Sequence, residues 1–287
     1  MNNKFALQSA MEYLMTYGWA ILIIAVVLGA LFQLGIFNAS TFTPKAPPGA
    51  CHVFRPNGPM TTSFINLQGI CNGELPQYAA KFNGQTSYIS LPSTAQATGS
   101  KITISLWAAL LGNGNQAPRA IAVAQLGTYP DLCISASFGP TFVVQNALAQ
   151  YSVTSGAPCA PFGQWQQYVG TYDGATGKIY LNGVLKGSVA ITGNLATGTM
   201  TIGEFSGGSF NVNGLLANVQ VYNTSLSANE VSALYSEGIG GAPVQLNNLV
   251  GWWPLNGDTK DYSGNNNNGV PTAVSFTSSW SSGYSSP

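Results

Sequence analysis

The longest run of apolar residues in the chain lies near the N-terminus. Between Glu12 and Lys45 no charged residue occurs, and the stretch from Gln8 to Phe37 is apolar almost throughout. A helix rises about 1.5 Å per residue, so this segment is long enough to cross a hydrocarbon core ~30 Å thick. The pattern therefore predicts a hydrophobic α-helix over residues 7–37.

From Val53 onward, apolar and polar residues alternate in short runs separated by Gly, Asn and Pro. A period of two is typical of β-strands. The predicted strands are Tyr78–Phe82, Thr86–Ser90, Lys101–Ala109, Ala120–Leu126, Thr141–Gln145, Gln166–Tyr172, Lys178–Leu181, Val184–Val189, Met200–Gly203 and Leu215–Tyr222. Asn182-Gly183 joins two of these runs and predicts a tight hairpin. Asp173-Gly174 follows another run and predicts a turn, because Asp and Gly are turn formers.

One short helix is predicted near the end of the strand-rich part. Ser227 and Glu230 have the spacing of a capping box, and Val231 and Leu234 follow on one helical face. Gly238 is expected to end this helix. Many short strands with one small helix make the fold mainly β, as a two-sheet sandwich.

Residues 38–50 (NASTFTPKAPPGA) separate the apolar segment from the strand-rich part. They contain three prolines and a glycine, which stop a helix and favour an extended path. We therefore expect a Pro-rich linker between the hydrophobic helix and a β-sandwich head that spans residues 51–287.

The amino-acid composition argues against nucleic-acid binding and favours a structural or surface protein. Only 6% of the residues are charged and the formal net charge is zero, against ~25% charged in an average soluble domain. The few Lys and Arg residues are scattered singly, so no basic patch predicts a nucleic-acid partner. An uncharged polar surface suits close subunit packing or a glycosylated exterior, which favours a structural or surface protein.

Four cysteines, an even number, follow a helix of the export type: Cys51, Cys71, Cys133 and Cys159. Disulfides are therefore expected, with three possible connectivities. We favour pairing of nearest neighbours, which would close loops of roughly 20 and 26 residues worth about 3 kcal/mol each. Zinc is the alternative, but the sequence has no C-x-x-C spacing and His52 is its single histidine.

Two N-x-S/T sequences predict N-glycosylation sites. They are Asn38-Ala39-Ser40 in the linker and Asn223-Thr224-Ser225 after the last long predicted strand. The predicted acceptors are therefore Asn38 and Asn223.

The N-terminus resembles the class III signal peptide of archaeal type IV pilin-like proteins. The resemblance lies in a short leader that ends Lys4-Phe5-Ala6, in the string QSAMEY over residues 8–13, and in the apolar helix. It implies that a prepilin peptidase removes residues 1–6 and leaves Leu7 first. Cleavage between Leu7 and Gln8 remains the alternative, and it would put Glu12 fifth.

The same resemblance implies how subunits would assemble. The helix would wait in the membrane and then pack into the core of a surface filament. Glu12 would pair with the N-terminal amine of the next subunit, because a lone buried carboxylate is costly. The alternative is a Glu12 carboxyl that is protonated or exposed among the lipid headgroups. Tyr13 is one of the large side chains suited to helix–helix packing. The chain is thus divided into a leader (1–6), a pilin helix (7–37), the linker (38–50) and the head (51–287).

The head resembles a concanavalin-like, laminin-G-type jelly roll. The similar segments are Phe82-Asn83-Gly84 with the two strands that follow, Trp165 through Gly187, and Gly214 through Tyr235. Trp107 and Trp165 are expected to face inward. The residues from Leu249 to Leu255 resemble a segment that normally precedes the family's first strand. We therefore expect residues 249–255 to form a permuted strand inside the sandwich.

The jelly-roll resemblance also implies a calcium site in the segment D-x-S-G-N. The ligands would be Asp261, with Asp258 as a second carboxylate candidate, and amide oxygens of residues 265–268. Calcium needs six to eight oxygen ligands, and the family's acidic pair is replaced here by Ala217 and Asn218. The alternative is an Asx-rich loop that satisfies its own backbone. No other cofactor is predicted.

The sequence carries no recognisable catalytic set. Paired carboxylates of the E-x-D-x-x-E kind, a G-x-S-x-G motif and a phosphate-binding glycine loop are all missing from it. We therefore expect a protein that is not an enzyme.

Two functions remain open. The first is a structural subunit of an archaeal type IV pilus-like filament that self-associates through the helix and exposes the head for adhesion at the cell surface. The second is a membrane-anchored or minor-pilin lectin that binds glycans. Its sugar-contacting candidates are Tyr129, Tyr151 and the Asn265–Asn268 loop.

Overall fold

The structure is a computed structural model. It describes residues 17, 19–28, 52–53, 67–68, 76–96, 100–112, 119–123, 131–135, 139–145, 150–156, 160–191, 195, 198–204, 210–285 and 287. The chain divides into two compact units, Met1–Pro47 and Pro48–Pro287. The division falls inside the predicted linker.

In the first unit, residue 17 and residues 19–28 are helical. Their large apolar side chains are exposed, from 46% for Leu28 to 67% for Trp19. Within the described part of the chain, no helix is both long and apolar enough to cross a membrane. The rest of the helix predicted over residues 7–37 lies outside the described residues. The same holds for the candidates Ala6, Leu7, Gln8, Glu12, Tyr13 and Asn38.

The second unit is built from short strands. In chain order they are β1 (His52–Val53), β2 (Leu67–Gln68), β3 (Ala79–Asn83), β4 (Tyr88–Ser90), β5 (Ile102–Leu110), β6 (Arg119–Val123), β7 (Asp131–Ser135), β8 (Gly139–Gln145), β9 (Gln150–Thr154), β10 (Gln166–Tyr172), β11 (Thr176–Leu181), β12 (Val184–Ala190), β13 (Met200–Ile202), β14 (Asn213–Tyr222), β15 (Leu249–Trp253), β16 (Val270–Thr272) and β17 (Ser275–Thr277).

These strands form two large antiparallel sheets and one isolated pair, β1 with β2. The eight-stranded sheet has the order β12-β11-β10-β5-β14-β3-β17, with β15 also paired to β14. The seven-stranded sheet has the order β16-β4-β13-β6-β7-β8-β9. The predicted mainly-β, two-sheet sandwich is therefore confirmed.

The core between the sheets follows from alternation along each strand. Ile104 and Leu106 of β5 and Tyr168 of β10 face Phe142 of β8, and all four are buried. Gly170 of β10 makes the approach possible, because a Cβ on it would lie 2.2 Å from a ring carbon of Phe142. The two sheets are thus in direct contact at this glycine.

The eight-stranded sheet is covered on its outer face as well. The helix Ala228–Ser236 lies there, with Val231 and Leu234 buried in a cluster that includes residues of β10, β11, β14 and β15. Ser227 and Glu230 form the predicted capping box. Hydrogen bonds from Gln245 and from the Ser227 backbone hold the pKa of the Glu230 carboxyl below its usual value.

Trp107 and Trp165 are buried, but the prediction that they face inward is wrong. They lie on the outer face, in a cluster that contains Trp280 of the C-terminal segment. Trp165 Nε1 donates to the Trp280 carbonyl at 2.8 Å, and Trp280 Nε1 donates to the Pro76 carbonyl at 2.9 Å. Alternation shows which residues share a face, but it does not show that a later segment will cover the outer one.

The C-terminal segment completes both sheets. Strand β15 pairs antiparallel with β14, with Gln220 opposite Trp252 and Val219 opposite Trp253. Further on, β16 pairs with β4 and β17 with β3. A strand over residues 249–253 therefore lies inside the sandwich, as the sequence predicted for residues 249–255.

The two predicted turns are also confirmed. Asn182 and Gly183 both have positive φ, at 48° and 75°, which is the backbone conformation of a two-residue hairpin turn of type I′. The Asp173 carboxylate accepts hydrogen bonds from the backbone N–H groups of Ala175 and Thr176 at 2.9 and 2.7 Å.

Replacement of Trp253 by Ala tests whether the C-terminal strand is integral to the fold. Trp253 is fully buried, and its Nε1 donates to the Asn267 carbonyl at 2.8 Å. We expect the free energy of unfolding to fall by about 3–5 kcal/mol, measured by urea denaturation. The control Val270→Ala, at an exposed position of β16, should change it by no more than about 0.5 kcal/mol. Equal effects of the two variants would show that β15 is a peripheral addition.

Candidate functional site

A row of buried polar side chains lies on the outer face of β14. Asn218, Gln220 and Tyr222 are at most 5% exposed. The register of β14 against β5 shifts between Ala217 and Gln220, and Asn218 has a φ of 49°. Asparagine is one of the few residues that tolerate this left-handed conformation, so it suits the bulge.

Hydrogen bonds join this row to its neighbours. The Asn218 Oδ1 accepts from Gln220 Nε2 at 2.9 Å and from Trp252 Nε1 at 2.8 Å. Its Nδ2 donates to the Gly241 carbonyl at 2.9 Å. The Tyr222 hydroxyl donates to Gln220 Oε1 at 2.6 Å, and burial raises the pKa of this hydroxyl strongly. The network is therefore uncharged and fixes both Asn218 and Trp252.

A cleft of about 110 Å³ opens beside this network. Its lining is formed by Pro76, Asn218, Ile239, Gly240, Trp252, Pro254 and Asn256. Pockets for drug-sized ligands measure ~300–1,000 Å³, so this cleft can hold one end of a ligand. We call it the β14 cleft.

The chemistry of the β14 cleft is that of an uncharged binding site. The described contacts engage one of the two N–H bonds of the Asn218 amide nitrogen. Asn256 is exposed, and its Oδ1 accepts from the Tyr78 N–H at 2.8 Å, so the described contacts do not engage its NH₂ group. Two amide donors beside the apolar surfaces of Trp252 and Pro254 suit a ligand that has both oxygen acceptors and C–H faces. None of the lining residues can act as a general acid or base.

The candidate calcium ligand Asp261 lies in a loop that is bonded to itself and to β15. Its Oδ1 accepts from the N–H groups of Trp252 and Ser263 at 2.9 and 2.8 Å. Its Oδ2 accepts from the Ser263 hydroxyl at 2.8 Å and from the Asn267 N–H at 2.9 Å. These bonds fit the alternative of an Asx-rich loop, and a calcium ion would have to replace them.

Asp258 is placed apart from that loop centre. Its carboxylate accepts from the Lys260 N–H at 3.2 Å and from the Tyr262 hydroxyl at 3.1 Å. Within the described residues, no group of three or more His, Cys, Asp or Glu could hold a metal ion. The set of donors present does not fit calcium, and calcium binding stays a prediction from the resemblance.

The glycosylation and disulfide candidates are described only in part. Asn223 is exposed, and its Oδ1 accepts from Asn248 Nδ2 at 3.2 Å, which leaves its own nitrogen available. Cys133 lies on β7, opposite Thr141 of β8. Cys51, Cys71 and Cys159 lie outside the described residues. Glycosylation and the two disulfides therefore stay predictions.

The sugar-contacting candidates differ from the residues of the β14 cleft. Tyr129 lies outside the described residues, and the side chain of Tyr151 on β9 is not described. In the Asn265–Asn268 loop, Asn265 Nδ2 and Asn267 Nδ2 both donate to backbone carbonyls of β15, at 2.8 Å each in their shortest contacts. In the sequence, Asn218 stands where the resemblance implies an acidic residue, and Trp252 belongs to the predicted strand over residues 249–255. Neither pattern predicts that the two side chains contact each other.

The head is a sandwich of antiparallel sheets, and the outer face of its larger sheet carries a small uncharged cleft. The chain belongs to the family described as the Concanavalin A-like lectin/glucanases superfamily, whose model matches residues 83–232. This is more than half of the chain, and it confirms the jelly-roll part of the resemblance. No curated protein sequence matches the chain significantly.

Two solved structures show the same fold. A protein from Bacteroides ovatus, described as a candidate carbohydrate binding protein, superposes with a TM-score of 0.55 at 18% identity over 70% of this chain. The SAP-like pentraxin from Limulus polyphemus superposes with a TM-score of 0.52 at 14% identity, over 70% of this chain and 94% of the pentraxin. The chain covers 60% of the Bacteroides protein. None of these comparisons supports the pilin part of the resemblance.

Replacement of Asn218 by Ala tests the network under the cleft. The change removes the acceptor of two buried donors, Trp252 Nε1 and Gln220 Nε2, and each buried group left unsatisfied costs roughly 1–3 kcal/mol. We expect a loss of at least about 2 kcal/mol in the free energy of unfolding beyond that of the control. Asn266→Ala is the matched control, because Asn266 is exposed and also has a positive φ, at 58°. Equal losses would mean that backbone strain alone explains the effect.

Proposed function

We propose that the head is a carbohydrate-binding module of a cell-surface protein and that the β14 cleft is its binding site. The observation that carries this proposal is the lining of the cleft, in which amide groups lie beside apolar surfaces without any charged residue. Membership of a lectin superfamily supports it. So does the description of the similar Bacteroides protein as a candidate carbohydrate binder.

The geometry indicates how a sugar would bind. Ring or hydroxyl oxygens would accept hydrogen bonds from the amide nitrogens of Asn218 and Asn256. The C–H face of the ring would lie against Trp252 and Pro254, because burying this apolar surface is favourable. Since the Asn218 network is already formed, little side-chain freedom is lost on binding.

The size of the cleft sets what binding can achieve. With a volume of about 110 Å³, it accommodates one terminal sugar, so a single head binds weakly. Several heads presented together would bind a glycan-covered surface far more strongly, because linked sites raise avidity by about 10²–10⁴. An exposed position at the cell surface, on the outside of the membrane, fits such a function.

A glycan array with the full-length chain in detergent micelles tests this proposal. We expect retention on at least one class of oligosaccharide, with a loss of tenfold or more in affinity for Asn256→Ala. Asn256 is exposed, so its replacement should leave the fold intact, which near-UV circular dichroism checks. Asn247→Ala serves as the control that keeps affinity, because Asn247 is exposed and does not line the cleft. If the array shows no binding to any glycan, the carbohydrate-binding function is wrong.

The second candidate function is the filament subunit. One structural observation favours it, namely that the side chains of residues 19–28 are exposed around the whole helix. A helix that is apolar all round is normally buried in a membrane or among other helices. Packing of these helices in a filament core would bury their apolar side chains. Before assembly the helix would lie in a membrane. A prepilin peptidase would cleave the chain between Ala6 and Leu7.

Replacement of Glu12 by Gln tests the filament function. If Glu12 pairs with the N-terminal amine of the next subunit, loss of its charge removes the pairing, and filament yield should fall at least severalfold by negative-stain microscopy. Glu74→Gln in the head is the control and should assemble normally. A normal filament yield from the Glu12 variant would show that the proposed pairing is wrong. Mass spectrometry of the N-terminus would locate the cleavage point.

A further inference from the structure

An exposed aromatic ring lies next to the β14 cleft. Among the described residues of the head, Tyr262 and Phe162 are the aromatic side chains with large exposed surfaces, at 41% and 52%. The Tyr262 ring meets the ring of Trp252 edge to face, with centroids 6.3 Å apart and an interplanar angle of 67°. Trp252 lines the cleft, so the exposed Tyr262 ring is in contact with one wall of the cleft through Trp252.

The Tyr262 ring is held in place at both ends. Its backbone N–H donates to the Trp252 carbonyl at 2.7 Å, and its hydroxyl donates to Asp258 Oδ2 at 3.1 Å. The hydroxyl is protonated at neutral pH, as in any tyrosine, and partial burial and the neighbouring carboxylate raise its pKa further. An aromatic ring that is fixed yet exposed is preorganised to receive a flat apolar ligand surface.

The formal net charge beside this ring is negative, because two carboxylates, Asp258 and Asp261, accompany the positively charged Lys260. Asp258 is half-buried, and its carboxylate still has acceptor capacity for ligand hydroxyl groups. The other charged residues nearby on this segment are Lys260 and Asp261. Lys260 is exposed, whereas all the acceptor bonds of Asp261 described above are made to this chain. A ligand over Tyr262 therefore meets the carboxylate of Asp258, which accepts hydroxyl donors and repels a carboxylate or sulfate.

We propose that the β14 cleft and Tyr262 together bind the end of a neutral oligosaccharide, and that Asp258 discriminates against acidic glycans. This inference rests on the proposed carbohydrate-binding function. In this arrangement one sugar occupies the cleft and the adjacent sugar stacks on Tyr262. Sialylated, sulfated and uronate-containing glycans bind more weakly because their anionic groups lie close to Asp258.

The experiment measures the affinity of the full-length chain in detergent micelles for matched ligand pairs. The probes are neutral gluco-, galacto-, manno- and arabino-oligosaccharides, each compared with a counterpart that carries a sialic acid or a uronate. We expect neutral probes to bind at least tenfold more tightly than their acidic counterparts. We also expect Asp258→Asn to reduce this discrimination to less than threefold while neutral affinity stays within a few fold.

Variants of Tyr262 separate stacking from hydrogen bonding. Tyr262→Ala should lower the affinity for neutral probes tenfold or more, whereas Tyr262→Phe, which retains the ring, should change it less than threefold. Phe162→Ala is the control, because Phe162 is also exposed but, unlike Tyr262, has no described ring contact with Trp252. Circular dichroism of each variant confirms that the head stays folded.

The outcomes are distinguishable. Equal or tighter binding of the acidic probes overturns the assignment to Asp258 while carbohydrate binding stands. Unchanged affinity of Tyr262→Ala overturns the stacking role. If none of the probes binds, the proposed function itself fails and this inference falls with it.

Discussion

The strand β14 has to be buried on both faces and paired along both edges, and the rest of the head is arranged around that requirement. Every residue from Gly214 to Tyr222 is buried. One edge of β14 pairs with β5, while the other edge is shared between β3 and β15. Because β3 reaches only the first half of β14, an unpaired edge would remain without the C-terminal segment. Such an edge inside a sheet leaves backbone groups unsatisfied, and each of these costs free energy.

The same requirement creates the candidate site. β3 gives way to β15 where the register of β14 shifts, and Asn218 lies there with a positive φ. Its amide then bonds Trp252 of β15 and the Gly241 carbonyl, which ties the loop after the helix to the sheet. The cleft is the space left where the covering segments meet over this point. It is therefore a consequence of how the sheet is completed, and the groups that line it are held by bonds that the fold itself needs.

Local chemistry was predictable from the sequence, and the layers that cover the sheet were not. The capping box at Ser227, the Asn182-Gly183 hairpin and the Asp173 turn each depend on a few adjacent residues, and all three are found. Strands such as β7, β9, β16 and β17 were missed, because short runs or a proline at position 271 weaken the alternating pattern. Trp107 packs against Tyr235 and Tyr284, which are more than one hundred positions further along the chain. The cleft depends on bonds from Asn218 to other elements. An alternating pattern within one strand predicts neither kind of contact.

The two candidate functions are compatible, because a weak binding site in each head is useful when many heads are displayed together. A cleft of about 110 Å³ contacts too little of a glycan for one head to hold it tightly, since affinity depends on buried surface and on the cost of association. The exposed apolar side chains of residues 19–28 need a partner, because that surface is unfavourable in water. A membrane or an assembly of like helices would supply that partner and would also place many heads side by side. Weak individual sites would then act together on a surface that carries many copies of one sugar. The same helix would thus determine both where the head is displayed and how strongly an array of such heads can adhere.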